Sequence, residues 1–157
     1  EAEAPKGSMY FHFPGGKEQL AAAAVDLFAE RSSARLDRQL NEHETVAEAV
    51  VSIFDSYVEH LERTEYREGC AVASVALDAA ASHDALAEAT GRALHGWTDR
   101  VAVALEAEGR GPAGAHALAT LVIAAIEGTA MMAKGERSTE PIGAARDALR
   151  TILALPG

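Results

Sequence analysis

The chain has 157 residues, a formal charge of −10 and 48% apolar residues, with aromatics at only 5%. That length suits one domain, or one domain with a fragment of another, and the Ala-, Leu-, Glu- and Arg-rich composition favours helix. The acidic balance excludes a chain coated for nucleic acid, the absence of eighteen consecutive apolar residues argues against a membrane span, and the single cysteine, Cys70, allows no intrachain disulfide.

The stretch "PKGSMYFHFPGGKEQL" runs from Pro5 to Leu20. Pro5 is preorganised for the first position of a helix, which Pro14, Gly15 and Gly16 then stop. Gly7 inside so short a helix costs roughly 0.8–1 kcal/mol relative to alanine. A backbone without Cβ is useful there if it must approach a surface closely. Lys6, Ser8, Tyr10 and His12 put donors on the same few turns, while Met9 and Phe13 share a face that can anchor the unit. Lys17 falls in the first turn of the next helix, where free N–H groups and the helix dipole already favour an anion. A short donor-bearing helix beside such a helix start suits a groove and a phosphate, so DNA fits, but only locally.

"KEQLAAAAVDLFAERSSARLDRQL" follows as a long helix, with Gly16 as its expected N-cap and Gln19 at the third position. "TVAE", Thr45 to Glu48, is a capping box. Behind it Val46, Val50, Ile53, Phe54, Tyr57, Val58 and Leu61 keep helical spacing. "REGCAVASVALDAAAS" predicts a short helix ending near Ser82, which would cap the next, bearing Leu86, Leu94, Trp97, Val101 and Leu105. Gly109 and Pro112 punctuate the following break. "HALATLVIAAIEGTAMMAKG" is apolar on nearly all sides and is expected to be buried on more than one face. "STEPIGAARDALRTILAL" closes the chain. The expectation is an all-α fold of about six helices behind a helical stub. Its last two helices would pair with those of a second copy in a homodimeric four-helix bundle, the alternative being a monomer with a central core helix.

"APKGSMYFHFPGGKEQL" resembles the end of the helix-turn-helix of TetR-family repressors, with Gly7, Ser8, Tyr10, Phe13, Lys17, Glu18 and Leu20 at the family's intervals. "EGCAVASVALDAA" and "AIEGTAMMAKGERSTEPI" further resemble the LmrA/YxaF-like branch. Ala4 departs from the pattern, because it offers no capping oxygen. The chain does not open on Met, and the first two helices of the DNA-binding domain are expected to precede Glu1.

The resemblance implies that residues 1–20 are the C-terminal part of a helix-turn-helix DNA-binding domain and 21–157 a helical ligand-binding and dimerisation domain. It implies a cytoplasmic bacterial repressor that binds a palindromic operator as a dimer and is released by a small aromatic or drug-like effector. Lys6, Gly7 and Ser8 would face the groove, with Tyr10, His12 and Lys17 on phosphates. The alternatives are packing of Tyr10 on the preceding helices and simple solvent exposure of His12.

Phe54, Tyr57, Cys70, Trp97, Val101, Glu127 and Met131 are the expected effector lining, each with a plainer alternative as core or gap-filling residue. The six histidines are dispersed and form no metal-ligand pair. With no phosphate loop or nucleophile elbow either, neither cofactor nor catalysis is expected. A dimeric helical carrier or sensor that never touches DNA is the alternative function.

Overall fold

The computed structural model describes residues 10–155, and these are helical throughout apart from short connections. After a helical stub at Tyr10–His12 come α1 (Gly16–Glu42), α2 (Val46–Arg63), α3 (Ala71–Asp78), a 3-10 turn (Ala80–Ser82), α4 (Asp84–Ala107), α5 (Pro112–Glu136) and α6 (Glu140–Leu153). The expected six helices behind a stub are all present, and the all-α class is as expected.

The helix ends explain where each element stops. Gly16 takes φ +72°, a left-handed conformation suited to glycine, and its N–H donates to the Phe13 carbonyl at 2.8 Å. The cap of α1 is Gly15, one residue before the expected one, because the Gln19 side chain turns back to accept the Gly15 N–H at 2.8 Å. Thr45 and Glu48 form the capping box in both directions, at 3.2 and 3.1 Å. Thr45→Ala should therefore destabilise the fold by about 1 kcal/mol, read as a lower urea midpoint with an unchanged slope.

Ser82 does not cap α4. It lies in the 3-10 turn, and His83 occupies the cap position without a side-chain bond. The Ala-rich approach permits one tight turn more than hydrophobic spacing alone suggests. The break before α5 follows expectation, with Gly109 at φ +93° and Pro112 at the helix start.

Packing is built around α4, which lies against α1 on one side and α5 on the other, while α6 lies against α2 and α5. Arg92 of α4 reaches Asp26 of α1 at 3.0 Å, and Arg100 reaches Asp37, also at 3.0 Å. Both partners advance together in number, so α1 and α4 run in the same direction. These exposed pairs orient more than they stabilise. Stability comes from a continuous core that includes Val50, Phe54, Leu61, Val72, Val101, Leu105, Val122 and Ile142.

Within one chain, helix α5 is covered on one side only. Ala115, Ala119, Val122, Ile123, Ile126, Ala130 and Ala133 are buried, all on one stripe. The opposite stripe, including Ala117, Leu121, Ala124, Met131 and Met132, is exposed within one chain. The helix is also long and apolar enough to cross a membrane. Its buried stripe is nevertheless part of the helical core. Exposed Ala148, Ile152 and Leu155 continue the apolar surface on and just beyond α6.

Candidate functional site

Helices α1, α2, α4 and α5, with Glu68 and Gly69 after α2, line a half-open cavity of about 330 Å³. Phe28, Leu36, Ile53, Tyr57, Trp97, Ile123 and Ile126 supply most of its apolar wall. Gln39 and Glu127 add polar groups, and Arg31, Arg35, His60 and Glu68 lie toward solvent. His60 is held between neighbours: Arg63 lies 2.9 Å from Nδ1, and Glu68 lies 3.4 Å from Nε2. An arginine only donates, so Nδ1 accepts and Nε2 carries the proton that faces Glu68.

Of the residues expected to line an effector site, Tyr57, Trp97 and Glu127 face this cavity. Cys70 sits behind them as the cap of α3, its sulfur accepting the Ala73 N–H at 3.5 Å. Phe54 and Val101 are fully buried in the core instead, and Met131 is 61% exposed and does not line the cavity. Composition and spacing could not separate core from wall, since both require apolar residues at the same helical period.

The contribution of α1 escaped the sequence reading. Phe28, Ser32, Leu36 and Gln39 fall at i, i+4, i+8 and i+11, with Arg31 and Arg35 alongside. This mixed stripe of apolar, hydroxyl, amide and guanidinium groups was the available signal.

The inner wall is electrostatically unusual. Burial pushes the Glu127 carboxyl above its ordinary range, and a hydrogen bond with the Cys70 thiol opposes the shift. Burial and then the Glu127 charge push Cys70 up to about 12. Tyr57 is raised for the same two reasons in the same order.

With its pKa raised from 9.0 to about 12, the folded Cys70 thiol holds about a thousandfold less thiolate than the unfolded one near neutral pH. Iodoacetamide should therefore label it far more slowly in buffer than in urea. For Glu127, the folded state binds the proton more tightly than the unfolded state. Its contribution is thus fully present below the unfolded pKa, near 4.5, and is lost as pH rises through the raised folded value. Stability measured across that window should decline less in Glu127→Gln than in the parent.

At the other end of α1, Tyr10 is 58% exposed, and His12 and Lys17 are exposed as well. Tyr10 sits over the Gly15-Gly16 turn, with a ring carbon 3.5 Å from where a Gly16 Cβ would stand. Lys6, Gly7, Ser8 and Met9 lie outside the described residues. Among the described residues no group of three or more His, Cys, Asp or Glu side chains is arranged to hold a metal.

Residues 46–148 match the family described as transcriptional regulator LmrA/YxaF-like, C-terminal domain. The uncharacterized HTH-type transcriptional regulator Rv0196 of Mycobacterium tuberculosis is 34% identical over 155 residues, spanning 96% of this chain and 78% of that protein. The HTH-type transcriptional regulator LmrA of Bacillus subtilis is 30% identical over 142 residues, spanning 90% and 76%. Among solved structures, the reduced form of Escherichia coli NemR superposes with a TM-score of 0.83 at 21% identity, covering 99% of this chain and 83% of that one, a likeness of fold alone. A TetR transcriptional regulator from Chloroflexus aurantiacus gives 0.74 at 28% identity, covering 91% and 74%. The matches to proteins with named roles are to regulators of transcription rather than to enzymes. The chain therefore belongs to the TetR family of transcriptional regulators, in its LmrA/YxaF-like branch.

Proposed function

We infer that this chain belongs to a cytoplasmic, ligand-responsive repressor without catalytic activity, in which residues 1–20 complete a DNA-reading domain and residues 21–157 bind effector and dimerise. Two copies would pair through α5 and α6 and bind a pseudo-palindromic operator with half-sites about 34–36 Å, or a multiple of it, apart. Lys6, Gly7 and Ser8 would enter the major groove, while Tyr10, His12 and Lys17 would hold phosphates and fix register. The effector would be small, aromatic or drug-like, and would occupy the cavity walled by Tyr57, Trp97 and Glu127.

One observation carries this reading. Helix α1 begins at the glycine turn behind the stub and, within the same 27 residues, supplies one wall of the cavity. An unbroken helix of that length spans about 40 Å and transmits a tilt at one end to the other. A ligand that presses on Phe28, Leu36 or Gln39 would alter the spacing of the two reading heads. A coupling of about 1–3 kcal/mol would weaken operator binding about 5–150-fold.

The test is operator affinity of the polypeptide carrying its complete DNA-binding domain, with and without saturating effector. Unchanged affinity would rule out the coupling. Replacing Lys6, Tyr10 and Lys17 together should abolish sequence-selective binding, and retention of that binding would remove the DNA-reading assignment. A dimeric carrier that never meets DNA would show no operator binding even with its N-terminal domain intact.

A further inference from the structure

Three polar atoms buried beside the cavity have no hydrogen-bond partner: Trp97 Nε1, Gln39 Oε1 and Glu127 Oε2. All three residues belong to its wall. The indole N–H can only donate, whereas the amide oxygen accepts. Of the three side chains, only Glu127 can carry charge. It interrupts an apolar run on α5 whose Ile123 and Ile126 line the same space. Unpaired polar groups buried in a structure call for an explanation, and these three belong to side chains that share one cavity wall, where a small rotation would turn each toward a ligand.

Resting on the reading of this cavity as the effector site, we propose that the effector is an organic cation. It would be a protonated amine on an apolar or aromatic frame, with its ammonium against Glu127 Oε2 and an acceptor on Trp97 Nε1. Phe28, Tyr57 and Trp97 would flank the frame.

The surroundings favour a cation over a neutral ligand of the same shape. The side-chain partner of Glu127 is the Cys70 thiol, a weak donor that neutralises nothing. No lysine or arginine pairs with its carboxylate among the described residues. On α1, Arg31 and Arg35 are exposed, and the charge of Arg35 is felt by Tyr57. On α2, Tyr57 is raised toward its neutral form, and His60 is engaged by Arg63 and Glu68. Helix α4 contributes Trp97 and no ionisable group to the wall.

A ligand ammonium would thus supply the missing counter-charge, and the aromatic wall would add cation–π attraction. The overall charge of −10 would raise the local concentration of cations. Burial also holds the Glu127 proton on more tightly than usual. An arriving ammonium favours the carboxylate and draws that pKa back down.

The experiment titrates the chain with 4-biphenylmethylamine and with 4-biphenylmethanol, its neutral isostere, by calorimetry and by the fluorescence of Trp97, the sole tryptophan. Glu127→Gln, Trp97→Phe and a cavity-filling Ser56→Phe are run alongside, with calorimetry the readout where the indole is lost. Preserved folding is checked by circular dichroism.

The proposal expects the amine to bind at least about tenfold more tightly than the alcohol. That preference should rise with pH through the range in which Glu127 ionises. It should vanish in Glu127→Gln, while Ser56→Phe should weaken both ligands. If both ligands bind equally, or the alcohol binds better, and Ser56→Phe weakens them, the cavity remains the effector site and the cationic assignment is overturned. If neither binds, or Ser56→Phe has no effect on either, the cavity reading falls and the proposal falls with it.

Discussion

Replacing Phe54 by alanine should lower the unfolding free energy by about 3–5 kcal/mol. Phe54 is 1% exposed and belongs to the continuous core centred on α2, α4, α5 and α6. It does not line the cavity. Its removal therefore opens a new void among packed neighbours, and the penalty combines lost burial with incomplete collapse. For a chain of this size the melting temperature should fall by about 6–20 °C.

Ile53, the preceding residue, provides the contrast. It is only partly buried and already borders empty space. Ile53→Ala enlarges an existing volume and leaves fewer contacts unmade, so it should cost clearly less. Equal losses for the two variants in chemical denaturation would contradict the division between core and wall.

The second large effect concerns association. Leu121 is 45% exposed on the uncovered stripe of α5, and Ile152 is 36% exposed on α6. Gly128 and Gly135 lie on α5 where an added Cβ would meet nothing within 4 Å. Each helical glycine costs about 0.8–1 kcal/mol relative to alanine. Packing within the chain does not account for that cost, although close approach by a second helix would.

If α5 and α6 form the proposed dimer, Leu121→Glu places a charge on each copy inside an apolar seam, and association should weaken by about a hundredfold or more. Sedimentation should then report a monomer at concentrations where the parent is dimeric. Gly128→Ala should stabilise an isolated chain by up to about 1 kcal/mol while weakening association. A parent that sediments as a monomer at high concentration would dismiss the pairing.

Much of the fold was legible because helix signals are local. The Thr45–Glu48 box, the 3.6-residue spacing behind it, Gly109 and Pro112 each act within a turn or two of chain. The misses at Gly15 and Ser82 were also local, and arose from rival caps one residue apart. The candidate site was less legible. Phe54 and Tyr57 lie three apart on one helix, yet one is sealed in the core and the other faces a cavity. No periodicity distinguishes them, because the direction of empty space is a property of neighbouring helices.

By itself the sequence determined the helices, their order, the single cysteine, the acidic charge and the motif that points to the family, all of which depend on short-range spacing or composition. Only the tertiary structure decided that α1 is a wall of the cavity as well as a connector. It also decided that Glu127 is half-buried, with one carboxylate oxygen sealed away from any cation, and that α5 hides one face and leaves the other bare. Those properties arise where four helices converge, so each is set by residues distant in the chain.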